Sequence, residues 1–157
     1  MKITRPNRAK RSHKQSLAAP PAAVFSLLCP VREEEWVPGW EPELVISESE
    51  VAEEDCVFVT PGEPAAAIWI VTRHDPAAHR LTMYKVTPGH TVGRLDIALD
   101  DDGKGGTEAE VSYEYTSLGP AGDAFLEDFT EEWYRGFMQG WELALNHYLK
   151  TGDKIAS

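Results

Sequence analysis

Residues 120–152 read PAGDAFLEDFTEEWYRGFMQGWELALNHYLKTG, and their spacing decides the fold. At 100° per residue, Phe129, Trp133, Phe137, Trp141, Ala144 and Tyr148 fall on one stripe, flanked by Leu126, Tyr134 and Leu145. Asp128, Glu132, Arg135, Gln139, Glu142 and Asn146 lie opposite. The pattern predicts a single amphipathic helix of about thirty residues, ~45 Å long, that starts after Gly119-Pro120 and stops at Gly152. A lone helix of that length must lie across a sheet to hide its stripe.

Working outward from the helix, residues 108–116 alternate Ala109, Val111, Tyr113 and Tyr115 with Glu108, Glu110, Ser112 and Glu114, a strand with one face in a core and one in water. Residues 91–99 do the same, with Gly93, Leu95, Ile97 and Leu99 on one face and Arg94 and Asp96 on the other. The acidic, glycine-rich run Asp100 to Gly106 joins these two strands as a hairpin. Further strands are predicted around Leu44 and Ile46, at Cys56–Val59, Ile68–Thr72 and Leu81–Thr87, separated by Pro61-Gly62, Asp75-Pro76 and Pro88-Gly89. Residues 11–18 can pair as the first strand. Pro20-Pro21 then open a short helix through Val24, Phe25, Leu27 and Leu28, and a second turn runs from Val31 to Trp36. The expectation is an α+β domain: a curved antiparallel sheet of about seven strands, two short helices after the first strand, and one long C-terminal helix across the sheet.

At 157 residues the chain suits one domain. The expected limits are a flexible basic arm over residues 1–10, a folded domain over 11–150 and a tail over 151–157. Residues 1–14 hold Lys2, Arg5, Arg8, Lys10, Arg11 and Lys14 and no acid, leaving nine basic residues against 26 acidic ones in the rest. An acidic body of this kind repels phosphate backbones, so no nucleic-acid partner is expected. Cys29 and Cys56 lack zinc or C-x-x-C spacing and read as small buried groups, which suits a reducing cytoplasm. The basic start and the run Leu17–Leu28 loosely imitate a secretory signal, but Pro20 and Pro21 interrupt it. No stretch reaches the ~18 apolar residues of a membrane span, so no stable membrane insertion is expected.

This element order, together with Ala18-Ala19-Pro20-Pro21-Ala22-Ala23-Val24-Phe25, Trp36-Val37-Pro38-Gly39-Trp40 and Tyr113-Glu114-Tyr115-Thr116, resembles the SRPBCC superfamily over about residues 11–149. That superfamily includes birch-pollen-allergen-like proteins, START-type lipid carriers and the polyketide cyclase/dehydrase group. The resemblance implies a helix-grip fold and a cavity between sheet and helix. Its members include carriers, enzymes and co-chaperone activators, so it does not by itself name an activity.

The cavity-lining candidates are Trp36, Trp40, Trp69, Tyr84, Tyr113, Tyr115, Phe129, Trp133, Phe137 and Trp141. Trp and Tyr beside a hollow provide an apolar wall with N–H and O–H groups that orient a ligand. The pattern leaves open whether the stripe lines a hollow or packs it shut, and which strand face Trp69 and Tyr84 take. Trp36 and Trp40, flanking Pro38-Gly39, read either as a plug at the sheet end or as a gate.

Other chemistry finds little support. His13, His74, His79, His90 and His147 show no i, i+4 metal spacing, and His74 and His90 read as surface turn residues. There is no G-x-S-x-G elbow, Gly105-Gly106 is no phosphate loop, and Asp100 to Asp102 depart from the EF-hand pattern. Arg94, Asp96 and Arg73 read as exposed ion-pair partners. No metal or cofactor is expected. The function expected is binding or carriage of a small hydrophobic molecule or lipid, by a monomer or homodimer. A cyclase/dehydrase-type enzyme using the same cavity and a co-chaperone-like interaction module are the alternatives, and catalysis needs an ionisable group facing inward.

Overall fold

The computed structural model describes residues 1–156. Alternating stretches pair into one antiparallel sheet: β1 (Arg8–Leu17), β2 (Leu44–Ile46), β3 (Val57–Thr60), β4 (Ala67–Asp75), β5 (Arg80–Thr87), β6 (Thr91–Asp101) and β7 (Thr107–Ser117). Their spatial order is β1-β7-β6-β5-β4-β3-β2. Strands β2 to β7 pair with their neighbours in sequence, and β1 closes against β7, so β1 and β2 form opposite edges. The crossing between those edges is made by α1 (Pro21–Phe25) and a 3-10 turn (Arg32–Glu35).

Register places one row of side chains after another on the concave face. Val71, Met83, Leu95 and Tyr113 are successive cross-strand partners, as are Leu81, Ile97 and Val111. A third row runs Phe58, Trp69, Lys85, Gly93, Tyr115. Glycine is required in that row, because a Cβ at position 93 would stand 2.7 Å from the Tyr115 ring. The basic arm does not end where expected: β1 takes in Arg8 to Lys10, and Arg8 and Lys14 face Glu114 and Glu108 of β7. Leu44 and Ile46 form β2 but are exposed on the convex face, while Val45 between them packs on the core opposite Phe58.

The expected single C-terminal helix is two helices, α2 (Pro120–Asp128) and α3 (Glu131–Thr151). Thr130, in extended conformation, caps α3 by accepting from the Trp133 N–H, with Glu131 and Glu132 in the first turn. The Arg11 side chain donates to the orphaned Phe129 carbonyl at the break (3.1 Å). Thr-Glu-Glu was therefore a helix start inside an uninterrupted apolar period.

Roll about the axis of α3 also departs from the expected stripe. Glu142 and Asn146, expected in water, bind the open edge of β1: Glu142 accepts from the Ser16 N–H (2.6 Å), and Asn146 accepts from the Ala18 N–H (2.8 Å) and donates to the Ser16 carbonyl (2.9 Å). Buried Gln15 donates to the Met138 carbonyl (3.0 Å). Edge backbone groups need partners, and supplying them from α3 turns Tyr134, Met138, Ala144 and Leu145 into the core. Trp133 and Phe137 are left half-exposed, at 48% and 47%. The buried Tyr134 hydroxyl donates to the Val111 carbonyl (2.7 Å). Tyr134→Phe is expected to lower unfolding stability by about 1–2 kcal/mol in a urea titration, because the carbonyl is left unpaired.

Candidate functional site

Because α3 is tethered along β1, it stands over the rest of the concave face without closing on it. The space between is an apolar cavity of about 390 Å³. Its floor is Phe58, Trp69, Leu81, Met83, Leu95 and Ile97, its end wall Trp36 to Pro38, and its roof Gly136, Phe137, Gly140, Trp141 and Ala144. A second cavity of about 440 Å³ adjoins it, sharing Val37, Trp40, Trp69, Tyr113 and Phe137 and adding Lys85, Tyr115, Phe129 and Trp133.

Nine of the ten candidate residues border these two cavities, and the tenth is corrected. Tyr84 lies on the convex face, out of parity with Leu81 and Met83, with the Arg94 guanidinium 5.9 Å from its ring centroid. Trp36 is fully buried, stacks on Trp141 at 5.8 Å and donates from its indole to the Leu27 carbonyl (3.0 Å), so it is wall rather than a moving gate. The Trp40 indole donates to the Pro30 carbonyl (2.7 Å) and the Trp69 indole to Thr60 Oγ1 (3.0 Å). Tyr113 and Tyr115 stack at 5.6 Å, and Trp133 and Phe137 stack at 5.4 Å as a half-exposed rim.

Sequence reasoning passed over four residues of the site. Lys85 shares inward parity with Leu81 and Met83, and that parity was the available signal. Its ammonium lies 5.1 Å from the Trp69 ring centroid, and loss of water there pushes its pKa down. Glu33 sits in the acidic run Glu33-Glu34-Glu35 of the 3-10 turn, and only its place three residues before Trp36 hinted at an inward position. It is partly buried, lines the apolar cavity, and desolvation pushes its pKa up to about 8. Gly136 and Gly140 are an i, i+4 pair inside α3, and a Cβ built at either meets nothing within 4 Å.

The remaining calls fall elsewhere in the fold. Arg94 pairs with Asp96 (2.9 Å) and Arg73 with Asp75 (3.5 Å) on the surface. Cys29 and Cys56 are free and buried, and Cys29 accepts from the Ala52 N–H. His74 is corrected from a surface turn residue: it lies in β4, partly buried against Phe25 at 5.2 Å, and desolvation lowers its pKa. Among the described residues no group of three or more His, Cys, Asp or Glu could hold a metal ion, and no helix is long and apolar enough to cross a membrane.

No family model and no curated protein matches the sequence. Solved structures do match. Norcoclaurine synthase from Thalictrum flavum, in complex with dopamine and hydroxybenzaldehyde, is 14% identical with a TM-score of 0.67, over 92% of this chain and 87% of that one. Ara h 8.0201 is 14% identical with a TM-score of 0.62, over 92% and 99%. CalU16 from Micromonospora echinospora is 21% identical with a TM-score of 0.56, over 96% and 86%. At such identities the likeness is one of fold. The chain has the birch-pollen-allergen-like helix-grip fold that the sequence resemblance implied.

Proposed function

We propose that the chain binds a small, largely apolar and flat molecule, or a lipid of similar girth, between the sheet and α3. The observation that carries this reading is the glycine pair. Glycine inside a helix costs about 0.5–1 kcal/mol relative to alanine, yet Gly136 and Gly140 both stand in α3 with open space where a side chain would go. That placement keeps the roof of the cavity bare at some expense to the fold. A ligand burying ~300 Å² at about 25 cal/mol per Å² gains ~7 kcal/mol, which sets a micromolar Kd as the expected scale.

The test is displacement of a fluorescent lipophile by candidate ligands, with native mass spectrometry for any retained molecule. Retention or micromolar displacement supports carriage, whereas an empty protein that takes up no lipophile refutes it. We place the protein in the cytoplasm, in keeping with its two free buried thiols.

A catalytic reading has one observation in its favour: Glu33, Lys85 and Tyr113 are ionisable and face the cavities. These are groups of the kind that move protons. The fold-sharing norcoclaurine synthase was solved with dopamine and hydroxybenzaldehyde, so aromatic reactants suit a hollow of this architecture. Turnover abolished by Lys85→Met or Glu33→Gln, with ligand affinity kept, would favour the enzyme over the carrier.

A further inference from the structure

The polar groups around the apolar cavity divide into those with partners and those without. The indoles of Trp36 and Trp40 donate to backbone carbonyls and that of Trp69 to Thr60 Oγ1. Two groups on this wall are different. The Glu33 carboxyl is shifted by loss of water alone, with no hydrogen bond and no neighbouring charge contributing. The Tyr113 hydroxyl feels desolvation, its tyrosine neighbours and Glu33, again with no hydrogen bond. Among the described residues no buried side-chain nitrogen or oxygen lacks a partner. The unpaired oxygens of Glu33 and Tyr113 are therefore not sealed in protein, and both residues line the cavity.

The local cations are engaged elsewhere. Arg32, one residue before Glu33, is held by Glu35 (2.7 Å), and Glu35 also accepts from the Tyr148 hydroxyl (2.8 Å). Lys85 lines the adjoining cavity, over Trp69. Two carboxyls two residues apart on one short turn thus have opposite fates: Glu35 is an ion-pair partner at the surface, and Glu33 is an acid without a counter-ion in an apolar wall.

We infer that Glu33 and Tyr113 form a neutral, hydrogen-donating subsite of the apolar cavity, selecting a flat apolar ligand that carries a carbonyl or comparable acceptor. The inference rests on the binding reading above and narrows it to a ligand class. A carboxyl with no cation beside it and little water keeps its proton, in accord with a pKa near 8. It then offers an O–H, as Tyr113 does, so two donors flank one stretch of apolar wall. An acceptor within reach of either donor satisfies it, while a plain hydrocarbon strips their water and returns nothing. A cationic amine is the competing class, since aromatic faces attract cations, but it would require Glu33 to ionise.

The experiment uses three probes of nearly equal shape with the full chain: 2-acetylnaphthalene, 2-ethylnaphthalene and 1-(2-naphthyl)ethylamine, with binding read from quenching of tryptophan emission at neutral pH. In a cavity without donors the ketone would be the weakest of the two neutral probes, because its carbonyl loses water. The expected result is the reverse, with the ketone about tenfold tighter than the hydrocarbon and tighter than the amine. Glu33→Gln, which keeps a neutral donor, should retain ketone binding within about threefold. Glu33→Leu should erase the ketone's advantage and leave the hydrocarbon unaffected. Tyr113→Phe, read by the same ratio, reports on the second donor if the Glu33 variants do not fold. Equal binding of ketone and hydrocarbon overturns the subsite while leaving the cavity reading intact. So does an amine that binds tightest and is lost in Glu33→Gln. Binding of none of the three overturns the cavity reading itself, and the subsite with it.

Discussion

Replacing Gly136 and Gly140 together with leucine is expected to raise unfolding stability and to weaken ligand binding by more than a hundredfold. These signs are opposed because the two glycines perform no backbone duty: each lies within a regular helix, and the place of its missing Cβ is empty. Helix propensity alone favours each change by about 0.5–1 kcal/mol. A leucine side chain starts there in open space, so it causes no overpacking. The same two side chains descend into a cavity of about 390 Å³ and fill most of the breadth a flat ligand needs. The alanine pair separates the effects, since its methyl groups should raise Tm by about 1–4 °C per site and leave binding within a few-fold. Thermal unfolding with dye displacement reads both. Leucine variants that lose stability would mean that the roof is already closed.

The second large effect is electrostatic. Loss of water pushes the Glu33 carboxyl up to about 8 in the folded protein, from an ordinary value of 4.5. Between those values the folded protein holds a proton that the unfolded chain has released, so stability falls as pH rises. The contribution is intact below about pH 4.5 and gone once pH has passed about 8. At 1.36 kcal/mol per pH unit the full shift bounds the loss near 5 kcal/mol, and water admitted by the cavity brings the expected figure to ~2–4 kcal/mol. Tyr113, the titratable group coupled to it, stays neutral throughout because burial raises its pKa well above the usual range. Glu33→Gln should therefore match the parent within ~1 kcal/mol at pH 5 and exceed it by ~2–4 kcal/mol at pH 9, measured by urea unfolding at each pH. Parallel pH curves for the two proteins would show that the carboxyl is hydrated.

Both predictions concern residues that the sequence concealed, for different reasons. Gly136 and Gly140 were visible as helix-interior glycines, but periodicity weighs only apolar residues and passes over gaps between them. Glu33 belongs to a run of three acids in which only its spacing from Trp36 sets the inward member apart, since a 3-10 turn of four residues is too short to establish a period. Lys85 was the exception, because its parity with Leu81 and Met83 pointed inward along a well-formed strand.

What the sequence determined by itself was the set of elements and, for the long strands, their faces. Alternation over β6 and β7 places Leu95, Ile97, Leu99, Ala109, Val111 and Tyr115 inside, where the structure has them. Such information is local: a period of two needs only the strand that carries it. Tertiary structure decided the rest. The break at Phe129-Thr130 and the roll of α3 follow from the open edge of β1, whose backbone groups bond Glu142 and Asn146, and from the side chains of Gln15 and Arg11, which donate to the Met138 and Phe129 carbonyls. A helix stripe gives an apolar direction about 100° wide, and within that latitude hydrogen bonds to a strand more than a hundred residues away choose the angle. That choice turned Trp133 and Phe137 from core into rim and left Gly136 and Gly140 facing a hollow. A cavity is defined by atoms that are absent, and no residue in a sequence encodes an absence.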